Sequence, residues 1–167
     1  MTALFWVAAA VAVAATVMVV TRSDAVHALL YLVVSLLAVA VDFWLLGAPF
    51  AAALEVIVYA GAVLVLFVFV VMLIGGGEAA AARERHRLSR SAWVGPSLLA
   101  LVLLGEITWI ALQGTAGPSA GRWIGPKEVG VALYGPYVLG VEVASFLLLA
   151  GLIGAWHLGR RDRGGSP

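Results

Sequence analysis

From Phe50 to Ile74 the chain runs twenty-five residues with a single charged side chain, Glu55. A helix of about 20 apolar residues crosses the hydrocarbon core of a bilayer, so this segment is long enough to span. It is rich in β-branched residues (Val56, Ile57, Val58, Val63, Val65, Val68, Val70, Val71), which in water would favour a buried strand. In lipid an isolated strand leaves its amides unpaired, whereas a helix satisfies them internally, so the segment is expected to be helical. Four further apolar runs, about 2–20, 26–46, 92–113 and 137–158, lie between clusters of charge, glycine and proline. With span three at 50–74, the expected fold is an all-α integral membrane bundle of five helices forming a single domain. Hydrophobic residues make up 63% of the chain and charged ones 11%, too little polar material to clothe a soluble enzyme of this size. There is no cysteine, which excludes disulfides, thiolate chemistry and iron–sulfur ligation by this chain.

The first run is not preceded by Lys or Arg, and the first basic residue, Arg22, follows it, the opposite polarity to a secretory signal. Five crossings put the N-terminus, the 47–49 turn and the 114–136 loop on one side with two basic residues, Arg122 and Lys127. The other side carries eight: Arg22, Arg83, Arg85, Arg87, Arg90, Arg160, Arg161 and Arg163. The positive-inside rule then places the N-terminus outside and the C-terminus in the cytoplasm. The basic 75–91 loop is read as a topology signal that also meets anionic lipid, and a nucleic-acid partner is not expected. Gly47-Ala48-Pro49 is so short that spans two and three must form a tight antiparallel hairpin, whereas the Gly- and Pro-rich 114–136 loop is expected to be irregular. Gly75-Gly76-Gly77 is not followed by Lys-Ser or Lys-Thr, which argues against a phosphate-binding loop.

Asp42, Glu55, Glu106 and Glu142 fall within spans while all ten basic residues lie in loops or at helix ends. A charged carboxylate at mid-span costs about 2.5–3.5 kcal/mol on insertion scales, so each acid must face protein or water, or be protonated. All four belong to the outer half of the bilayer in this topology. They suit proton handling; equally, they can hydrogen-bond across helices and orient the bundle. Tyr59 lies four residues after Glu55, so its hydroxyl can reach toward that carboxylate or a water between them. Ala60, Gly61 and Ala62 form a small-residue patch that allows close helix approach or a local π-bulge. His27 and His157 sit at span ends and His86 in the basic loop, which disfavours a haem role. The tryptophans fall mostly near span ends, as interfacial belts require.

The run Leu54-Glu55-Val56-Ile57-Val58-Tyr59-Ala60-Gly61-Ala62-Val63-Leu64-Val65-Leu66-Phe67-Val68-Phe69-Val70-Val71-Met72 closely resembles the third helix of the J-subunit family of bacterial respiratory complex I, equivalent to mitochondrial NADH dehydrogenase subunit 6. Val26-His27-Ala28-Leu29-Leu30-Tyr31-Leu32, Ser35-Leu36-Leu37-Ala38 and Gly47-Ala48 are similar to the same family, so the likeness covers about residues 22–74. The resemblance implies a multi-pass, non-redox subunit of a proton-pumping NADH:quinone oxidoreductase in a bacterial plasma membrane. No cofactor belongs to this chain; FMN, iron–sulfur clusters, NADH and quinone are expected in partner subunits. The partners implied are the quinone-cavity and antiporter-like membrane subunits, together with the lipid bilayer. It further implies a π-bulge near Tyr59–Val65 whose relaxation to α-helix makes or breaks a water path. Glu55 and Tyr59 would be polar stations there, with Gly61 and Val65 permitting the bulge and gating hydration. Related cation/proton antiporters and membrane-bound hydrogenases have subunits of the same descent. An independent proton-linked transporter is a further reading, disfavoured by the odd span count and the lack of an internal repeat.

Overall fold

The computed structural model describes residues 2–22, 24–74, 90–113 and 122–159. The described residues are helical apart from short connections, with no strand among them. The helices are α1 (Thr2–Thr21), α2 (Ala25–Leu45), α3 (Pro49–Leu54), a π-helical segment (Glu55–Val63), α4 (Leu64–Ile74), α5 (Arg90–Gln113), α6 (Pro126–Tyr134) and α7 (Val138–Gly159). α3, the π segment and α4 are continuous and together make span three. Five helical stretches are long and apolar enough to cross a membrane, at Thr2–Thr21, Ala25–Leu45, Pro49–Leu73, Trp93–Leu112 and Val138–Gly159. They match the runs read from the sequence to within a few residues at each end. The basic 75–91 loop and the C-terminal arginines lie outside the described residues, except that α5 already begins at Arg90.

The chain divides into two units, Met1–Ile124 and Gly125–Pro167. In the first, α1 and α2 pack face to face through small side chains. Ala8, Val11 and Ala15 are buried on α1 against Val34, Ala38, Val41 and Leu45 of α2, with Leu103 of α5 completing the cluster. These positions recur at the three- and four-residue intervals of one helix face. Polar contacts cross the seam at Ser35, whose Oγ lies 2.8 Å from Thr16 Oγ1 and 3.2 Å from the Ala12 carbonyl oxygen, which also accepts from Thr16 at 2.8 Å. α2 is started by Asp24, whose Oδ1 accepts from the amides of Val26 and His27 at 3.0 and 3.2 Å.

The α2–α3 connection is as tight as its sequence demands. Gly47 has φ of 86°, the left-handed conformation that a Cβ disfavours. Its amide donates to the Trp44 carbonyl at 3.0 Å, and Pro49 opens α3 at a position where no amide is needed. The Gly47 carbonyl accepts from Ile124 at 2.7 Å, and Trp123 meets Trp44 edge-on with ring centroids 5.7 Å apart. The end of the long loop therefore returns to the α2–α3 turn, placing both at one end of the bundle. Gly47→Ala is expected to cost about 1–2 kcal/mol, read as a lower unfolding temperature of the detergent-solubilised chain, with Gly47→Asn milder.

In the second unit α6 and α7 pack on each other. α6 revises the expectation of an irregular 114–136 loop. Pro126 presets the first turn, and the Glu128 carboxylate accepts from the Gly125 amide at 3.1 Å, so Pro and Gly here start a helix rather than prevent one.

Candidate functional site

Span three departs from α-geometry over Glu55–Val63, where the hydrogen bonds reach one residue further back. Its last bond runs from the Leu64 amide to the Tyr59 carbonyl, five residues earlier. At Gly61 a Cβ would stand 3.2 Å from the Val56 carbonyl oxygen, also five residues back, a tight contact that the glycine avoids. The segment begins earlier than the Tyr59–Val65 expectation, so Val65 stands two residues beyond it, in α4.

Glu55 heads the segment and is partly buried, while Tyr59 is 54% exposed. No hydrogen bond joins them among the described residues. The wider winding shifts the four-residue alignment on which that contact was expected. Gly61 and Val65 are exposed. Along span three only Ala52 and Leu64 are buried among the described residues, so this helix is held by its neighbours far less than α2 is. An apolar groove of about 750 Å³ lies between α2, the α3–π junction and α5, with Val41, Trp44, Ala52, Val56, Leu103 and Ile110 among its walls. Val56 and Ile57 therefore line this groove at the start of the π segment.

The remaining acids divide. Asp42 is partly buried on α2 and Glu106 is 5% exposed on α5, whereas Glu142 is exposed on α7. Neither Glu106 oxygen, nor Oδ1 of Asp42, has a hydrogen-bond partner among the described residues. At the opposite end of α2, His27 is buried, with Nδ1 3.3 Å from Asp24 Oδ1. Sequence reading missed one contact there. Tyr31, 4% exposed, carries its hydroxyl against Gly95 of α5, within 3.5 Å of the Arg22 guanidinium. No group of three or more His, Cys, Asp or Glu side chains suited to a metal ion occurs among the described residues.

These features define a multi-pass helical membrane protein whose third span contains a π segment headed by a carboxylate. A model of NADH-ubiquinone/plastoquinone oxidoreductase chain 6 matches residues 15–158. Among curated relatives, NADH-quinone oxidoreductase subunit J of Pseudomonas aeruginosa is 56% identical over 95% of this chain and 96% of its own length. The Escherichia coli protein of the same name is 48% identical over 97% of this chain and 88% of its own, and that of Rhodobacter capsulatus 40% identical over 95% and 81%. The chain belongs to this family, that of subunit J of respiratory complex I. The likeness extends over nearly the whole chain, well beyond the 22–74 stretch from which it was read.

Proposed function

We propose that this chain is a non-redox membrane-arm subunit of a proton-pumping NADH:quinone oxidoreductase, in which span three couples quinone reduction to proton translocation by changing its winding. The observation that carries this reading is the π segment at Glu55–Val63, set beside an apolar groove and with few buried residues within this chain. In the π form one carbonyl-to-amide register is offset from the α form, so conversion rotates everything that follows it and re-aims Tyr59 and Val65. Glu55 and Tyr59 act as polar stations on a water path, and Gly61 makes the π register accessible. The exposed carboxylate of Glu142 on a transmembrane helix favours contact with a neighbouring subunit over contact with lipid. Redox groups and the quinone cavity belong to partner chains. The excess of arginines at one end of the bundle orients the N-terminus outside and the C-terminus in the cytoplasm.

The direct test is the hydrogen-bond register of span three in the assembled complex, imaged in two catalytic states. The Leu64 amide should bond to Tyr59 in one state and to Ala60 in the other. An identical register in every state, during turnover as well as at rest, would remove the mechanism.

A further inference from the structure

Asp42 and Glu106 take no part in the mechanism above, yet helix periodicity brings them to one seam. Asp42 follows Ala38 by four residues and precedes Leu45 by three, and both are buried in the cluster shared by α1, α2 and α5. Glu106 follows Leu103 by three and precedes Ile110 by four, and these belong to the same cluster. Residues at such spacings share a helix face, so the two acids approach the α2–α5 contact from opposite sides. Both Glu106 oxygens and one Asp42 oxygen are sealed from solvent and unpartnered among the described residues. Asp42 lies near enough for its charge to bear on Glu106.

The surroundings supply nothing to compensate two negative charges. α1 carries no titratable side chain, and the other titratable groups of α2, His27 and Tyr31, lie toward its far end. On α5 the other charged residue is Arg90, at its beginning, sixteen positions from Glu106. Glu55 and Tyr59 stand on the π segment packed against α2, and neither side chain can carry a positive charge. Arg122 is exposed and in no ion pair among the described residues. Two carboxylates facing one seam without a neighbouring cation cannot both stay ionised. One proton removes the repulsion, because the protonated carboxyl donates to the carboxylate, directly or through one water.

We infer that Asp42 and Glu106 form a proton-binding site, holding one proton between them across the α2–α5 seam. Neither side chain has another hydrogen-bond partner among the described residues, so each can turn toward an O–H···O⁻ contact. The site lies at the end of the bundle that carries the α2–α3 turn. Its ligand is a proton, and a monovalent cation bound between two carboxylates is the rival occupant.

The test is infrared spectroscopy of the assembled membrane complex at neutral pH, comparing the unaltered chain with Asp42→Asn/Glu106→Gln in H2O and D2O. The unaltered complex should show one additional protonated-carboxyl stretch that moves on deuteration, together with one additional carboxylate. Two carboxylates without a protonated carboxyl would overturn the proposal in favour of a cation or separate anions. Two protonated carboxyls without a carboxylate would overturn it as well. If the double variant does not assemble, Asp42→Asn alone decides: sharing requires the deuterium-sensitive Glu106 stretch to shift or vanish, and an unchanged stretch refutes it.

Discussion

Replacing Gly61 with valine is expected to abolish most quinone-linked proton pumping while leaving NADH oxidation by an artificial acceptor near its normal rate. The Cβ would press on the Val56 carbonyl, which stands 3.2 Å away only because the segment is wound with the longer ladder. The crowded carbonyl is the one five residues back, the acceptor position of the π register, so the crowding is expected to bear on the π form. Crowding of this kind costs about 1–3 kcal/mol. A bias of that size corresponds to a shift of about 5- to 150-fold between two conformations. The π form would be lost from the working equilibrium, and a cycle that needs both windings would stall. Gly61→Ala, with the same Cβ but no branches, should give a smaller deficit in the same direction. The two activities are measured on one membrane preparation, with proton uptake followed by a pH-sensitive dye. An equal loss of both would point to failed assembly and would count against a coupling role for this glycine.

The span boundaries were legible because lipid leaves the backbone so few options: apolar length between charged ends nearly determines where each helix begins and stops. The winding of span three was legible only in part. Ala60, Gly61 and Ala62 mark where close approach is possible, but no composition rule states at which residue the longer ladder starts, and it begins at Glu55. The expected Tyr59–Glu55 contact depended on α-spacing and is absent among the described residues for that reason. The helix at Pro126–Tyr134 was concealed because Pro and Gly read as loop signals, although Pro is equally at home in a first helical turn. Asp42 and Glu106 were visible as embedded acids. Their convergence was not, because it depends on which faces of α2 and α5 meet, and those residues lie more than sixty positions apart in sequence. The small residue at position 95 gave no hint of what it admits for the same reason.

That glycine carries the second large effect. Gly95→Ala should destabilise the α2–α5 contact by about 1–3 kcal/mol, and Tyr31→Phe should restore much of the loss. A Cβ at position 95 would land on the Tyr31 hydroxyl, with the ring carbon bearing it 3.1 Å away. An exposed tyrosine would swing aside at little cost. Tyr31 is 4% exposed, and its ring lies beneath the Arg22 guanidinium, 5.5 Å from the centroid, so moving it disturbs the end of α1 as well. Pro96 follows directly inside α5, and its fixed φ limits how far the backbone can yield. Removing the hydroxyl takes away the atom that the new methyl meets first. Tyr31→Phe alone forfeits the contact with Arg22 at 3.5 Å, a long, part-buried one of small value. The double-mutant cycle therefore has a definite sign: the pair should be more stable than the sum of the single changes implies. Thermal unfolding of the four purified forms measures it. Strict additivity would show that the hydroxyl is not what Gly95 accommodates, and the cost of the alanine would then have to arise within α5 itself.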